Sequence, residues 1–579
     1  MALTDFKSRV VNIGDVPLGG NYPIRIQSMT STNTMDTIAT VEQSIRMIEA
    51  GCEYVRITAP GIKEAKNLRI IKKELKVRGY ETPLIADIHY QPKAALIAAK
   101  YVEKVRINPG NYIDRKRGKS NFTEVEYNEE IDKIRDRLKP LIDVCKQHGT
   151  VIRIGSNHGS LSERILFRYG NTPTGMVESA LEFVKICEDF GYQDLVLSMK
   201  ASNVKVMVQA NRLLVRRIQE LGMNYPIHLG VTEAGDAEDG RMKSAAGIGL
   251  LLLDGIGDTI RVSLTEDPEF EIPVARDLVH FTNIDTKIDS DPEKHPFPFD
   301  LYQYSRRKSE KIMQIGNGKP PVVIVNQSSL KSATPEYKDG FEPDYIFNEK
   351  NNTLKSYTKF ENQISVIFPV YIDSLNSLKN KVIGLKTNDL LVFSPAESTC
   401  ICEIRNWFIV LFQNGLHNPV ILQKKYPGMP LKKILIKATI EFSCFLVDGL
   451  LDGIWIQSEQ VNPEILCETA FGILQATGER ISKPDYIACP SCGRTRFNIQ
   501  DTLKVIKQRT SHLKGLKIGV MGCDVNGPGE MADAHYGYVG TGKGKITLYK
   551  GKQIIKTGIM EEFAVDELIK LIKENGDWD

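Results

Sequence analysis

The sequence has no long apolar run. No segment reaches the roughly 18 uninterrupted apolar residues that a membrane-spanning helix needs, and its start, MALTDFKSRVVNIG, lacks the apolar centre of a secretion signal. It also lacks a large charge of either sign, because 75 Lys and Arg residues are balanced by 72 Asp and Glu residues for a net charge of +3. We therefore expect a soluble, non-secreted protein without a general nucleic-acid or membrane surface, although a local basic pocket is compatible with this balance.

Two familiar cofactor motifs are also missing. No C-x3-C-x2-C run occurs, which disfavours radical chemistry with S-adenosylmethionine. The glycine-rich segment 540–544 lacks the spacing and the trailing Ser or Thr of a phosphate-binding loop. We interpret this segment as a hairpin turn.

What the chain does have is length and ten cysteines. Its 579 residues are too many for one hydrophobic core, so two to four domains are expected. Five cysteines lie in helical or apolar stretches and are interpreted as small buried thiols in a reducing compartment: Cys52, Cys145, Cys187, Cys444 and Cys467. The Cys400-Ile-Cys402 pair has no obvious partners and is interpreted as structural.

The last three cysteines have the spacing of a metal site. Cys489-Pro-Ser-Cys492 is a C-x2-C motif, and Cys523 follows 31 positions later. A fourth cysteine is missing, and the other nearby candidate ligands are Asp524, Glu530, Asp533 and His535. Three thiolates and one exchangeable ligand suit a reactive iron-sulfur cluster better than a structural zinc ion.

The first 280 residues alternate short β-branched runs with longer amphipathic segments, which is typical of βα units and a parallel sheet. Eight strands are predicted, so the expected fold is a (β/α)8 barrel. They are Ile24–Gln27, Tyr54–Ile57, Leu84–Ala86, Lys104–Ile107, Val151–Ile154, Leu195–Ser198, Ile227–Gly230 and Thr259–Val262.

A recurring tetrad places an arginine near the carboxyl end of four of these strands. The four residues are Arg56, Arg106, Arg153 and Arg261. Since the carboxyl ends of barrel strands meet at one mouth, other polar residues should reach the same rim: Asp87, Asn157, Lys200, His228, Thr232 and Glu233. So many cations in one cavity would repel each other unless an anion binds there, and planar guanidinium groups suit phosphate oxygens.

Each arginine could also have a purely structural role, namely a salt bridge to a neighbouring carboxylate. Four arginines in one register favour a phosphate or diphosphate ligand instead. Arg25 matches the tetrad only in part and is interpreted as structural. For Glu233, acid/base catalysis and a role as a buried counter-ion both stay open.

The middle of the chain predicts a second α/β layer. After the proline-rich segment 289–300, strand-like runs occur at 321–325, 364–368, 390–393, 407–411 and 420–422. The stretches 252–261 and 446–455 share Leu, Asp, Gly, Asp and Ile at a constant offset, as a duplicated barrel unit would require. The second copy carries Trp455 where the first has Arg261, so it is expected to serve as a scaffold.

In the C-terminal part, the C-x2-C motif and Cys523 should each follow a strand, at 485–488 and 516–521. This arrangement explains how the cysteines can come close together. The glycines of Asn526-Gly-Pro-Gly529 permit close backbone approach and direct Glu530 towards the metal.

These motifs together resemble the 4-hydroxy-3-methylbut-2-enyl diphosphate synthase family of the methylerythritol phosphate route to isoprenoids. The resemblance rests on Gln27-Ser-Met-Thr30 through Asp254-Gly-Ile-Gly-Asp-Thr-Ile-Arg-Val-Ser263, on Ala488-Cys-Pro-Ser-Cys492-Gly-Arg, and on Gly522-Cys-Asp-Val-Asn-Gly-Pro-Gly-Glu530. It implies three domains: a TIM barrel at 1–284, an inserted, degenerate, barrel-like α/β domain at 285–480, and an α+β iron-sulfur domain at 481–579.

The resemblance further implies one 4Fe-4S cluster bound by Cys489, Cys492, Cys523 and Glu530, with the carboxylate leaving when substrate binds. The implied reaction is the two-electron reductive ring opening and dehydroxylation of 2-C-methyl-D-erythritol 2,4-cyclodiphosphate. Asn108, Asn157, Lys200 and Ser263 would complete the diphosphate site around the four arginines, with Asp87 and Thr232 beside them. Glu233 becomes the candidate proton donor, and Asn526 a contact of the substrate hydroxyl.

Flavodoxin or ferredoxin is the electron donor that the resemblance implies, and a homodimer is compatible with it. The expected location is a bacterial cytoplasm, or the plastid stroma for a trimmed plant enzyme. Because cluster and barrel mouth lie in different domains, the cysteine domain must close over a barrel. We hypothesise that the insert lets it close over the barrel of its own chain.

Two rival interpretations of the sequence stay open. One is an enzyme with a pterin- or phosphate-binding barrel and a structural zinc ion. The other is an iron-sulfur redox sensor whose barrel only binds an effector.

Overall fold

The computed structural model describes residues 5–88, 90–112, 121–285, 298–327, 337–357, 366–525, 527–531 and 533–578, without the side chains of residues 284, 285, 528 and 530. The chain divides into two compact units. One unit contains residues 5–244, 255–279 and 484–579, and the other contains residues 245–254 and 280–483.

The first unit contains an eight-stranded parallel barrel, and all eight predicted strands are present. They are Arg25–Met29, Tyr54–Thr58, Leu84–Asp87, Lys104–Ile107, Val151–Asn157, Leu195–Lys200, His228–Leu229 and Thr259–Ile260. Neighbouring strands are hydrogen-bonded in parallel, and a single bridge from Leu197 to Ile227 joins the two ends of the sheet. The predicted (β/α)8 fold is therefore confirmed.

The barrel strands are buried along nearly their whole length, as expected for a parallel sheet covered by helices. A small hairpin, Val11–Ile13 with Val16–Leu18, covers the amino-terminal end of the barrel. Its apolar side chains form one cluster with Tyr54, Ile85 and Val151 at the starts of their strands. Only the opposite end, where the strands have their carboxyl termini, is left for a site.

The helices of this barrel alternate with the strands. They are Thr37–Glu49, Ile62–Val77, Pro92–Ala98, Pro109–Tyr112, Glu124–His148, Glu163–Tyr169, Pro173–Asp189, Val204–Glu220, Ala237–Ser244 and Glu271–Asp285. The longest one begins with a reciprocal capping box between Thr123 and Glu126. It ends at Gly149, whose φ of 65° is the left-handed conformation that favours glycine.

The C-terminal part of the same unit is a five-stranded mixed sheet with helices. Its strands are Asp485–Ala488, Lys517–Met521, Tyr536–Gly542, Lys545–Lys550 and Gln553–Met560, and its helices are Ile499–Thr510, Gly527–Glu530 and Glu561–Glu574. The segment 540–544 ends one strand and turns towards the next, since Gly540 pairs with Ile546 and Gly542 with Lys545, and the predicted hairpin turn is present. Among the described residues, no helix of the chain combines the length and hydropathy needed to cross a membrane.

The second unit is a curled eight-stranded sheet with helices, which agrees with the predicted barrel-like layer. Its strands are Val322–Asn326, Tyr345–Asn348, Thr353–Ser356, Val366–Ile367, Val370–Ile372, Leu391–Phe393, Val420–Lys425 and Gly453–Gln457. Its helices are Leu250–Leu253, Leu375–Lys381, Ile401–Gln413, Leu431–Leu446 and Pro463–Ala476, and a π-helical turn spans Ala245–Gly249.

One predicted strand of this unit is wrong. The run 407–411 lies inside the helix Ile401–Gln413. Its aromatic and β-branched residues suggested a strand, but buried residues at Ile404, Phe408 and Leu411 follow the three-to-four spacing of a helix. The helix begins after Cys400, which is disulfide-bonded to Cys402.

Candidate active site

A cavity lies at the carboxyl ends of the barrel strands. Nine residues singled out from the sequence form its barrel side: Arg56, Arg106, Arg153, Asn157, Lys200, Thr232, Glu233, Arg261 and Ser263. Two further predicted residues, Asp87 and Asn108, lie deeper, since both side chains are completely buried. The strand-end pattern thus brings the expected residues together.

Asp87 is a shared partner of the arginines. Its Oδ1 atom accepts from Arg56 at 2.6 Å and from Arg106 at 3.3 Å. Asn108 has a local role in this structure, because its Oδ1 accepts a hydrogen bond from the Gly110 backbone at 3.2 Å. Because one carboxylate faces two guanidinium groups, these three side chains together carry a net positive charge.

Arg153 and Lys200 make this net positive charge larger. Burial lowers the pKa of Arg153 well below its usual value, and the neighbouring Arg56 and Arg106 lower it further. Burial also lowers the pKa of Lys200 well below its usual value, and the neighbouring Arg153 lowers it further. The Nε and Nη1 atoms of Arg153 are buried without a hydrogen-bond partner among the described residues. Buried cations of this kind are stabilised by a bound anion.

Glu233 and Arg261 complete the rim in different ways. Arg261 forms a buried ion pair with Glu271 at 3.4 Å. Like Arg56 and Arg106, it therefore combines a salt bridge to a carboxylate with a place on the cavity lining. Glu233 is 4% exposed and has a φ of 49°, a conformation that residues other than glycine rarely adopt. Such backbone strain is common at functional sites.

Three cysteines form the opposite side of the same cavity. Cys489 follows the strand Asp485–Ala488, and Cys523 follows the adjacent parallel strand Lys517–Met521. Because neighbouring parallel strands end at the same edge of a sheet, Cys489 and Cys523 lie close together. Cys489, Cys492 and Cys523 all line the cavity.

The donor set fits an iron-sulfur cluster. Burial raises the pKa of the Cys489 thiol, and the nearby Cys523 and Cys492 raise it further, so Cys489 needs a cationic partner to be held as a thiolate. The Cys489 sulfur also accepts a hydrogen bond from the Gly522 backbone at 3.2 Å, a contact of the kind that tunes cluster sulfurs. Among the described residues, no group of three or more His, Cys, Asp or Glu side chains is arranged closely enough to hold a metal ion.

Two predicted residues cannot be placed. Asn526 lies outside the described residues. Glu530 ends the short helix Gly527–Glu530, but its side chain also lies outside what is described.

The cysteine-bearing part and the barrel that share this cavity belong to the same chain and the same compact unit. A parallel bridge joins Ala234 of the barrel to Ala488, directly before Cys489. The Thr265 hydroxyl donates to the Cys489 carbonyl at 3.2 Å, and Lys507 pairs with Asp236 at 2.7 Å. These contacts join the cysteine-bearing part to the barrel of the same chain.

Sequence reasoning missed two residues of this site. Arg494, two positions after Cys492, also lines the cavity and reaches Asp87. The Tyr90 hydroxyl donates to the Val525 carbonyl at 3.0 Å, close to Cys523. The short distance between Arg494 and Cys492 in the sequence was the only available signal, since both contacts join segments far apart in the chain.

Two family models and many curated relatives match this chain. The model of the GcpE TIM-barrel domain matches residues 8–276, and that of the GcpE protein C-terminal domain matches residues 485–574. Curated relatives match along the whole chain. The proteins named 4-hydroxy-3-methylbut-2-en-1-yl diphosphate synthase (flavodoxin) are 49% identical in Parabacteroides distasonis, 47% in Phocaeicola vulgatus and 40% in Leptospira interrogans. Each alignment covers 99% of this chain and 97–98% of the relative.

Proposed function

The chain belongs to the GcpE family, and from this premise we propose that it is a 4-hydroxy-3-methylbut-2-en-1-yl diphosphate synthase. It converts 2-C-methyl-D-erythritol 2,4-cyclodiphosphate into 4-hydroxy-3-methylbut-2-enyl diphosphate. Two C–O bonds of the substrate break, one C=C bond forms, two electrons and two protons enter, and water leaves. The diphosphate remains attached to the carbon chain.

One observation supports this proposal above all. The barrel cations and the three cysteines line a single cavity. A diphosphate bound by Arg56, Arg106 and Arg153 would therefore hold the attached carbon skeleton next to the cysteines. Neither a remote structural zinc site nor an effector site separate from the cluster accounts for that shared lining.

The barrel residues bind and orient the substrate. Guanidinium groups donate to diphosphate oxygens, and Lys200 adds a further positive charge. Asn157, Thr232 and Ser263 supply neutral polar groups on the same lining. Closing the cysteine domain over the barrel excludes water, which strengthens each of these interactions.

Cys489, Cys492 and Cys523 would bind a 4Fe-4S cluster, with Glu530 as the exchangeable fourth ligand. When bound, this cluster supplies the two electrons one at a time and a Lewis-acidic iron for the hydroxyl that is lost. Glu233 holds the proton that converts this hydroxyl into water, and Asn526 orients the hydroxyl. Asp87 positions Arg56 and Arg106 from below, and Asn108 completes the diphosphate site.

Flavodoxin is the proposed electron donor, because the relatives carry it in their names. The proposed domains are the substrate-binding barrel at 1–284, a structural insert at 285–480 and the cluster domain at 481–579. We propose that both halves of the site come from one chain. Mixing a Cys523→Ala chain with an Arg56→Ala chain tests this, because recovery of activity in the mixture would contradict same-chain catalysis.

Anaerobic purification followed by iron, sulfide and absorption measurements tests the function itself. A brown protein is expected whose spectrum changes when the cyclic diphosphate is added, and which forms the linear diphosphate when reduced flavodoxin is supplied. Cys523→Ser should lose iron and turnover, whereas Cys187→Ser, which changes a buried cysteine of the barrel, should keep its iron. A colourless protein with one zinc ion per chain would refute the proposal.

A further inference from the structure

Arg494 extends from the cysteine domain into the barrel. It is 8% exposed, and its Nη2 atom lies 3.2 Å from Oδ2 of Asp87. It lies two positions after Cys492 and on the lining of the shared cavity. A buried arginine at such a place needs a specific reason, because isolated buried charges are strongly disfavoured.

Asp87 fixes the position of this guanidinium among the others. While its Oδ2 atom accepts from Arg494, its Oδ1 atom accepts from Arg56 at 2.6 Å and from Arg106 at 3.3 Å. Three guanidinium groups thus meet at one carboxylate. The group carries two positive charges more than the carboxylate neutralises, and one of them comes from outside the barrel.

Arg494 also has donors that the protein does not use. Its Nε and Nη1 atoms are buried and have no hydrogen-bond partner in the part of the chain that the structure describes. Leaving buried N–H groups of a cation unsatisfied is costly. Since Arg494 lines the cavity, an oxygen ligand inside the cavity can accept from them.

We propose that Arg494 is a substrate-binding residue supplied by the cysteine domain, so that the diphosphate is bound by both domains at once. This inference rests on the proposed function and adds to it a contact that comes from outside the barrel. The barrel alone then binds the substrate weakly, and the closed form binds it strongly. A ligand that binds the closed form better shifts the equilibrium towards closure.

A purely electrostatic role is the alternative to exclude. Burial lowers the pKa of Arg494, but the nearby Cys492, Asp87 and Cys523 together raise it above its ordinary value. If Arg494 only balanced these charges, its replacement would affect iron content and leave substrate affinity unchanged. If Arg494 binds substrate, affinity falls while iron content stays.

The test compares Arg494→Met and Arg494→Lys with Arg496→Met in the anaerobic holoenzyme. Arg496 is an exposed residue on the same loop and serves as a matched control for loss of one positive charge. Affinity for the cyclic diphosphate is measured by calorimetry and by the substrate-dependent change of the cluster spectrum, alongside iron and sulfide analysis. These readouts do not depend on turnover.

We expect Arg494→Met to retain its iron and to bind the cyclic diphosphate about ten- to a hundredfold more weakly. Arg494→Lys should recover part of the affinity, and Arg496→Met should match the parent protein. Unchanged affinity in Arg494→Met would overturn the inference, as would loss of iron in both Arg494 variants. If the parent protein itself fails to bind the cyclic diphosphate, the proposed function fails instead.

Discussion

Asp258 and Asp452 accept the same two kinds of hydrogen bond, each within its own compact unit. The Asp258 carboxylate accepts from the Ser8 hydroxyl at 2.5 Å and from the Ile227 backbone N–H at 2.7 Å. These are the second aspartates of the two sequence stretches that share Leu, Asp, Gly, Asp and Ile. The shared contacts are what a duplicated barrel unit would retain.

Asp452 adds one partner that Asp258 lacks in the contacts described. Its carboxylate accepts from the Ser309 hydroxyl at 2.7 Å and from the Val420 backbone at 3.0 Å. It also forms a buried ion pair with Arg307 at 2.9 Å. The two aspartates therefore have the same neutral partners and different charged surroundings.

This difference predicts that replacing the aspartate with asparagine has opposite effects on thermal stability at the two positions. Burial raises the pKa of Asp258 from 3.8 to about 6, against the lowering effect of its two hydrogen bonds. Between these values the folded protein binds more protons than the unfolded chain, so stability falls as pH rises from about 4 to 6. Above about pH 6 the buried carboxylate is ionised, and it then lowers the free energy of unfolding by about 3 kcal/mol.

Asp258→Asn should therefore raise the thermal midpoint at pH 8, and this advantage should shrink as pH approaches 4. Asp452→Asn should lower the midpoint at both pH values, because Arg307 is left buried without its carboxylate at a cost of about 3–5 kcal/mol. Thermal unfolding of both variants at pH 4.5 and 8 checks this. Destabilisation of Asp258→Asn at pH 8 would show that its hydrogen bonds outweigh the cost of the charge.

The barrel was predictable because its strands are short β-branched runs buried on both faces, and because their register places Arg56, Arg106 and Arg153 at one end. The helix at 401–413 was mistaken for a strand since its core contains Trp407-Phe-Ile-Val-Leu411, which has no clear period over five residues. The strand Gln553–Met560 was missed because its residues are exposed almost throughout, so no apolar alternation marks it.

The contacts within the site were harder to predict than its residue types. The identity of the anion-binding residues followed from a local pattern. The contact between Asp87 and Arg494 depends on how the cysteine domain packs on the barrel, across 407 positions of sequence. No local pattern encodes such a pair, because it forms only when distant segments of the chain pack together.

Gly159 and Gly529 approach each other so closely that neither tolerates a side chain. A Cβ atom added at Gly159 would lie 2.6 Å from the carbonyl carbon of Gly529, and backbone must then move. Gly159→Ala should therefore oppose closure of the cysteine domain over the barrel. We expect kcat/KM to fall at least about tenfold with iron content unchanged, because a small misplacement of reacting groups is costly.

Gly542→Ala is the matched control, since the nearest atom to its added Cβ would be 3.6 Å away. It should retain the activity of the parent protein. Steady-state assays with the cyclic diphosphate and iron analysis of both variants decide the matter. Equal activity of Gly159→Ala and Gly542→Ala would mean that the observed close approach is not needed for catalysis.

Glu233 is the proposed proton donor, and its removal should affect the chemical step more than binding. Glu233→Gln keeps the size of the side chain but cannot supply a proton, so kcat should fall by about 10²- to 10⁴-fold with little change in KM. Glu238→Gln, at an exposed position of the following helix, is the control. A rise in KM at constant kcat would instead assign Glu233 to substrate binding.

Lys104 is a completely buried lysine whose charged form is disfavoured in the folded barrel. Its ammonium group is completely buried, lies 4.8 Å from the centre of the Tyr54 ring, and has no hydrogen-bond partner among the described residues. Burial lowers the pKa of Lys104 well below 10.5, and Arg153 and Arg56 lower it further. The unfolded chain therefore binds more protons between the lowered pKa and 10.5, so stability rises with pH through that window.

Lys104→Met removes this cost with a side chain of similar length, and should raise the free energy of unfolding at pH 7 by about 1–4 kcal/mol. It should also flatten the rise of stability with pH, because the group that titrates is gone. Lys100→Met, at an exposed position after the preceding helix, should change neither quantity. Thermal and denaturant unfolding between pH 7 and 10 measure both effects, and a destabilised Lys104→Met would mean that the contact with Tyr54 outweighs the cost of burying the charge.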